Sequence, residues 1–286
     1  MTRLQVLPHW RRKRMRRNRP VKVNGILFFI LILFTACRNT SSSEFLLKAG
    51  DALREGKVEE ALSYYNRAAE RSPNSPTSQE ALYFIGRVHR LFKKQPKEAL
   101  FFFRGAVSQG NITPYCEKAQ ETIADIYYSD LKDYKKAIVE FQKLVNQFPG
   151  SKLLAEAQFQ IAQCYMALGD DEQAEMEYSA LLDRYGAGEY RDAAAYWICV
   201  IHFRQGKFAE ARKGFENFIA LYGDSPLAAN AKLGLADTLE EMGETEEAVS
   251  VLGSLEKDYP NKEIILRKVD NLLKKKAVRP GVKSKG

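Results

Sequence analysis

The sequence predicts an all-α solenoid of about six helical hairpins, and three observations carry that prediction. The first is self-similarity. An alanine that follows a short turn recurs as Ala61, Ala99, Ala137, Ala174, Ala211 and Ala248, at intervals of 38, 38, 37, 37 and 37 residues. A fixed period of this length marks a stack of supersecondary units, each too small to bury its apolar face alone. The second is an independent series of small residues, Ala49, Gly86, Ala124, Ala162, Cys199 and Ala236, each 12 or 13 residues before its alanine. Two series with one period mark two places per unit where chain segments approach closely. The third is helical spacing: Phe159, Ile161, Ala162 and Tyr165 share one broad face of a first helix, and Ala174, Tyr178, Leu181 and Leu182 one face of a second.

The chain opens before the repeats with nine Lys or Arg and no acid in residues 1–36, the first acidic residue being Glu44. Subtracting those nine from 44 basic residues leaves 35 against 36 acidic, so the formal charge of +8 resides in the opening segment. A phosphate-binding footprint then has no support outside the short C-terminal tail, and nucleic acid is not an expected partner. The basic lead is followed by Ile26 to Phe34, then Thr35, Ala36 and Cys37. Nine apolar residues span about 14 Å as a helix, roughly half of a ~30 Å hydrocarbon core. Basic, apolar and small-residue regions in that order are the pattern of a secretory signal peptide, residues 1–36, with Met1 or Met15 as the start. The ending Phe34-Thr35-Ala36-Cys37 resembles the bacterial lipobox, which implies lipid attachment to Cys37 and a tether over 37–43. An uncleaved membrane anchor and an ordinary cysteine after an apolar run are the other two readings of Cys37.

The solenoid is expected over residues 44–273. Four residues after each alanine stands a large side chain, Tyr65, Phe103, Phe141, Tyr178, Phe215 or Leu252, and twelve after it a turn former, Pro73, Asn111, Pro149, Gly186, Gly223 or Pro260. Thr77-Ser78-Gln79-Glu80 reads as a capping box, and Ser225-Pro226 as a cap residue before a first-turn proline. Repeats 2 and 3 carry one extra residue in the inner turn and lack its glycine, so a departure from the regular superhelix is expected there. Ile264 to Leu273 reads as a helix that closes the last apolar face, and residues 274–286, basic and without acid, as a disordered tail.

On these residues the chain resembles the tetratricopeptide repeat over roughly 44–260. The family's alanine, large residue and proline match at Ala61, Tyr65 and Pro73 and again at Ala137, Phe141 and Pro149. The family's aromatic near the start of the first helix is mostly absent, and the period exceeds the usual ~34. The resemblance implies a right-handed superhelix whose first helices line a concave face. The longer unit, with linkers such as Phe148-Pro149-Gly150-Ser151, looks like the repeats of bacterial envelope lipoproteins, among them BamD-like outer-membrane assembly lipoproteins and the periplasmic repeat protein of the Tol-Pal system. Arg38, where enteric inner-membrane lipoproteins tend to have Asp, points to the outer membrane facing the periplasm.

No HExxH, GxSxG, Walker or dinucleotide glycine loop occurs, so neither an enzyme, nor a cofactor, nor a small-molecule substrate is expected. His89 and His202 have no second ligand at metal spacing, and Glu240, Glu241, Glu244, Glu246 and Glu247 lack a calcium loop and read as a solvated face. Cys164 and Cys199 read as small core residues, with one disulfide among these two and Cys116 left open. Two functions remain: a lipid-anchored scaffold that presents its groove to envelope proteins or peptides, or a spacer connecting envelope layers without a peptide groove. For the first, the register places Tyr83, Arg87 and Arg90 of repeat 2 on the concave face, then Asp125 and Tyr128, then Phe159, Gln163 and Met166, then Tyr196, Val200, Phe203 and Arg204 of repeat 5, and Asp237, Glu240 and Glu241 of repeat 6. The expected groove has an apolar centre, a basic end toward repeat 2 and an acidic end toward repeat 6.

Overall fold

A computed structural model describes residues 41–110, 113–185, 188–255 and 262–278. The expected signal peptide, Cys37, the turn formers Asn111, Gly186 and Pro260, and residues 279–286 of the expected tail lie outside them. Among the described residues there are thirteen α-helices and no strand. They pair as six hairpins: α1 (Ser42–Arg54) with α2 (Val58–Arg71), α3 (Pro76–Leu91) with α4 (Pro96–Ser108), α5 (Pro114–Asp125) with α6 (Tyr134–Gln147), α7 (Leu154–Leu168) with α8 (Asp171–Tyr185), α9 (Arg191–Arg204) with α10 (Phe208–Leu221), and α11 (Ala228–Glu241) with α12 (Thr245–Leu255). A last helix, α13 (Lys262–Val278), packs on α12. Each helix packs on its neighbours in sequence, and first helices also meet across repeats, α1 with α3, α3 with α5 and α9 with α11. The first helices thus form one layer and the second helices the other, the all-α solenoid that the period predicts.

Both small-residue series are buried. Ala49, Ala61, Ala99, Ala124, Ala137, Ala162, Ala174, Ala211, Ala236 and Ala248 are all 0% exposed. The large residues that follow, Tyr65, Phe103, Phe141, Tyr178, Phe215 and Leu252, are buried as well. The two series serve one contact. A Cβ placed on Gly86 of α3 would stand 2.9 Å from the ring of Phe103 on α4, so the ring fills the space that the missing side chain leaves. Cys116, Cys164 and Cys199 are buried and free, with burial pushing the thiols of Cys164 and Cys199 up to about 12.

Helix starts follow capping chemistry, with two differences from the sequence reading. Ser41 accepts from the Glu44 amide at 3.1 Å, so α1 begins inside the expected tether. Ser75, and not Thr77, caps α3: its hydroxyl accepts from the Ser78 amide at 3.1 Å and Pro76 takes the first turn. Ser225 does not cap α11, which starts at Ala228; its hydroxyl instead accepts from Leu227 N at 3.2 Å and donates to Asp192.

The six inner turns share one backbone solution. Five residues before each repeat alanine the chain enters the left-handed region: Gly56, Gly169, Gly206 and Gly243 at φ of 75°, 78°, 73° and 80°, Lys94 and Lys132 at 56° and 53°. The next amide then closes the end of the first helix. In the four glycine turns it reaches back five residues, Lys57 to Ala52 O, Asp170 to Tyr165 O, Lys207 to His202 O and Glu244 to Leu239 O. In repeats 2 and 3 it reaches back six, Gln95 to His89 O at 2.9 Å and Asp133 to Tyr127 O at 2.8 Å. All six acceptors lie three residues after the small residue of their repeat, so the extra residue is absorbed as a wider hydrogen-bonded ring without shifting either helix in register. In repeat 3 the widening appears as a π-helical turn over Ile126–Asp130.

The closing helix is longer than expected. Ile265 and Leu272 are buried against α12, and the helix runs to Val278, so residues 274–278 are helical and not disordered tail. Lys274 pairs with Asp270 one turn back at 2.6 Å.

Candidate protein-binding groove

The face that the first helices share carries the residues three before, one after and four after each small residue. In repeat 2, the half-buried Tyr83 packs its ring 5.4 to 5.7 Å from those of Phe84, Phe103 and Tyr115, and burial raises the pKa of its hydroxyl. Arg87 is exposed and lies over Tyr83 and Phe84 at 6.0 and 5.7 Å. In repeat 3, burial likewise raises the Tyr128 hydroxyl, whose ring is 5.7 Å from Tyr134 and 5.9 Å from Lys132 Nζ. In repeat 4, Phe159 lies between Tyr178 and Tyr190 at 5.5 and 5.1 Å, Gln163 donates to the Tyr178 hydroxyl, and the Met166 sulfur lies 3.7 Å from Arg204 Nη1. In repeat 5, Tyr196 packs on Trp197, Phe215 and Phe218, Phe203 packs on Phe208, and Arg204 pairs with Asp171 at 3.3 Å.

Three of these residues line one cavity. Tyr196, Val200 and Phe203 of α9 face Asn230, Leu233, Gly234 and Asp237 of α11 across a pocket of about 230 Å³, with Phe215 of α10 below. Gly234 makes this depth: a Cβ there would stand 2.5 Å from the Phe215 ring. The sequence reading had Asp237 and missed Asn230, Leu233 and Gly234. The signal was present, since Leu233 precedes Ala236 by three as Tyr196 precedes Cys199, and Asn230 lies one turn earlier.

Several of the charges expected to give the ends of the groove opposite sign are paired within the solenoid. Arg90 is held between Asp125 and Asp130, each contact 2.7 Å. At the other end, Asp237 pairs with Lys268 and Glu240 with Lys275, both from α13. These charges are satisfied within the solenoid because α5 and α13 bring opposite charges alongside, which the single-repeat pattern does not contain. His89 and His202 meet Gln95 and Glu175 at 3.1 and 3.0 Å, and among the described residues no cluster of three or more metal-ligating side chains is present.

Comparison with protein-family models matches residues 46–115, 119–151, 156–187 and 190–255, each to a model described as tetratricopeptide repeat. The chain is a tetratricopeptide repeat protein. The family points to the class of protein–protein interaction scaffolds. No curated protein matches the sequence. Solved structures with this fold include a tetratricopeptide repeat protein from Parabacteroides merdae, at 18% identity and a TM-score of 0.56 over 82% of this chain and 88% of that one. The type IV pilus biogenesis factor PilW is similar at 16% identity and a TM-score of 0.52, over 81% and 98% of the two chains. YrrB, described as having an unusual peptide-binding site, is similar at 21% identity and 0.50, over 73% and 99%. At these identities the likeness is one of fold.

Proposed function

We propose that this tetratricopeptide repeat protein is a lipid-anchored scaffold of a bacterial envelope that holds a protein partner by a segment laid in its concave groove. The observation that carries the groove reading is the pocket between α9 and α11. Its walls are the apolar and aromatic Tyr196, Val200, Phe203, Phe215 and Leu233, and its rim the polar Asn230 and Asp237. An apolar pocket with a few convergent polar groups is the form in which a protein surface takes an anchoring side chain, the rim groups fixing its approach. This supports the scaffold over the spacer reading. The envelope part of the proposal rests on the sequence Thr35-Ala36-Cys37, with acylation of Cys37 giving the multiple-chain anchor that one acyl chain does not. No catalytic role is assigned to any residue.

The groove reading is tested with Asn230→Trp. Asn230 is exposed at the mouth of the pocket, so the indole can occupy it without replacing a buried side chain. Proteins retained from envelope extract by the wild-type protein and by Phe101→Ser, a change at an exposed residue of the second-layer helix α4, are expected to be lost from Asn230→Trp. Equal retention by all three rejects the groove. Mass spectrometry of the membrane-extracted protein is expected to find an acylated N-terminal Cys37, and an unmodified intact N-terminus rejects the anchor.

A further inference from the structure

The second-layer helices of repeats 2 and 3 carry a surface that the groove does not use. Two residues after the repeat alanine stand Phe101 on α4, 73% exposed, and Val139 on α6, 50% exposed. Three residues from each lies a cation, Arg104 after Phe101 and Lys136 before Val139, and both sit over the ring of Tyr127, at 6.0 and 5.6 Å. Arg104 also donates to the Tyr127 hydroxyl at 2.8 Å and reaches Glu140 of α6 at 3.7 Å. The two helices therefore present one continuous patch from Phe101 to Val139. On the side of α3 the Phe101 ring lies 5.3 Å from that of Phe102, which stacks on His89 at 4.9 Å.

The charge around this patch is positive. From seven residues before the repeat alanine to six after it, repeats 2 and 3 together hold eight basic and four acidic residues, whereas repeats 4 and 6 hold none and nine. Met176 stands at the station of Phe101 in repeat 4, but among those acids, so the basic apolar patch ends before it. Three of the four acids are engaged: Asp130 by Arg90, Asp133 by Lys136 and Glu140 by Lys143, at 2.7, 2.6 and 3.0 Å. Among the described residues Lys94 and Lys97 make no ion pair, and Lys97 lies one turn from Phe101 on α4. The turns add a second observation. Where four repeats place glycine, these two place Lys94 and Lys132 at positive φ. A strained backbone kept with a lysine where glycine costs less points to a use for the cation.

We propose that this patch docks on an anionic phospholipid surface, with Phe101 and Val139 entering the headgroup region and the surrounding lysines facing the phosphates. An anchor for a protein partner enters a hollow such as that between α9 and α11, whereas here single apolar side chains stand out from a basic surface, the form in which a helix lies on a bilayer. The choice of lipid rests on the Cys37 anchor proposed above. α1 begins at Ser42, five residues after Cys37, a reach of at most about 18 Å, and repeat 2 follows the first hairpin directly. Docking through the second-helix layer leaves the first-helix layer, and the groove on it, open to a partner.

The test uses the full-length protein, reconstituted from detergent into vesicles of phosphatidylcholine, alone or with an equal part of phosphatidylglycerol. The acyl chains are brominated and quench tryptophan on contact. Phe101→Trp is compared with Lys213→Trp, which lies at the same station of repeat 5 and is exposed; the native Trp10 and Trp197 are common to both. At low salt the anionic vesicles are expected to quench Phe101→Trp and not Lys213→Trp, and the neutral vesicles neither. Lys94→Gln with Lys97→Gln, added to Phe101→Trp, is expected to lower the ratio of docked to undocked protein about 25-fold, about fivefold for each lysine beside an anionic surface. Equal quenching at both stations, or quenching of Phe101→Trp that survives both lysine changes, overturns this assignment and leaves the anchor standing. Envelope proteins retained by wild type and lost from Phe101→Ser overturn it as well, because the patch is then a protein interface. Release of the protein from neutral vesicles on flotation rejects the anchor instead, and the quenching in anionic vesicles then decides the patch by itself.

Discussion

The inner turns of repeats 2 and 3 differ from those of repeats 1, 4, 5 and 6 in length and in composition, yet their helices pack in the same register. Four turns use glycine at φ between 73° and 80°; two use Lys94 and Lys132 at 56° and 53°. For a residue with a Cβ the left-handed region costs about 1–2 kcal/mol. The two lysine turns bear that cost because Ala99 and Ala137, five residues on, are held at zero exposure by the interhelical contact. Packing at the small-residue stations is therefore the stronger constraint, and turn conformation follows it.

The largest expected effect comes from breaking what both classes of repeat share. Gly86→Val brings a branched side chain against Phe103, which a Cβ alone would already meet at 2.9 Å. It is expected to cost about 2–3 kcal/mol in chemical denaturation, as overpacking of a close-packed core does. A loss below about 0.5 kcal/mol would show that packing at this station does not govern the repeat.

Turn substitutions sharpen the comparison at a smaller scale. Gly206→Val forces a β-branched residue to φ of 73° and is expected to cost about 1–2 kcal/mol. The reverse change, Lys94→Gly, is expected to raise stability by up to about 1 kcal/mol by removing the same strain. Lys132→Gly is expected to gain less, because Lys132 Nζ lies 5.9 Å from the Tyr128 ring and that contact goes with it. If Lys94→Gly and Lys132→Gly both destabilise, the wider hydrogen-bonded turn is not strained.

The smallest effect concerns Glu121, which stands three residues before Ala124 where repeats 2, 4 and 5 carry Tyr83, Phe159 and Tyr196. Its carboxyl titrates above the ordinary 4.5 in the folded chain, chiefly through burial. Between the unfolded and folded values the native state holds the extra proton, so this group's contribution makes stability rise as pH falls through that window and leaves it lower above the folded value. Glu121→Gln is expected to raise the Tm at pH 7 slightly and to remove the part of the stability gain that appears as pH falls toward the ordinary carboxylate value. A lower Tm at pH 7 would mean that the carboxylate has a stabilising partner in the free protein.

The sequence by itself determined the period, both buried series, the large residues packed against the small ones, and the helical class. These are properties of one repeat and its immediate neighbour, and each repeat writes them again, so chance agreement is filtered out by repetition. Cap identity was less legible, because Ser75 and Thr77 both stand near a helix start and only the backbone path decides which hydroxyl meets an orphan amide. Of the groove, the sequence placed Tyr196, Val200 and Phe203 together, since they share one face of α9. Only the tertiary structure decided that Leu233 and Gly234 complete their pocket and that Arg90 and Asp237 are paired. Those outcomes depend on side chains about one repeat apart meeting across the superhelix, at distances set by the packing of whole helices and written in no single repeat.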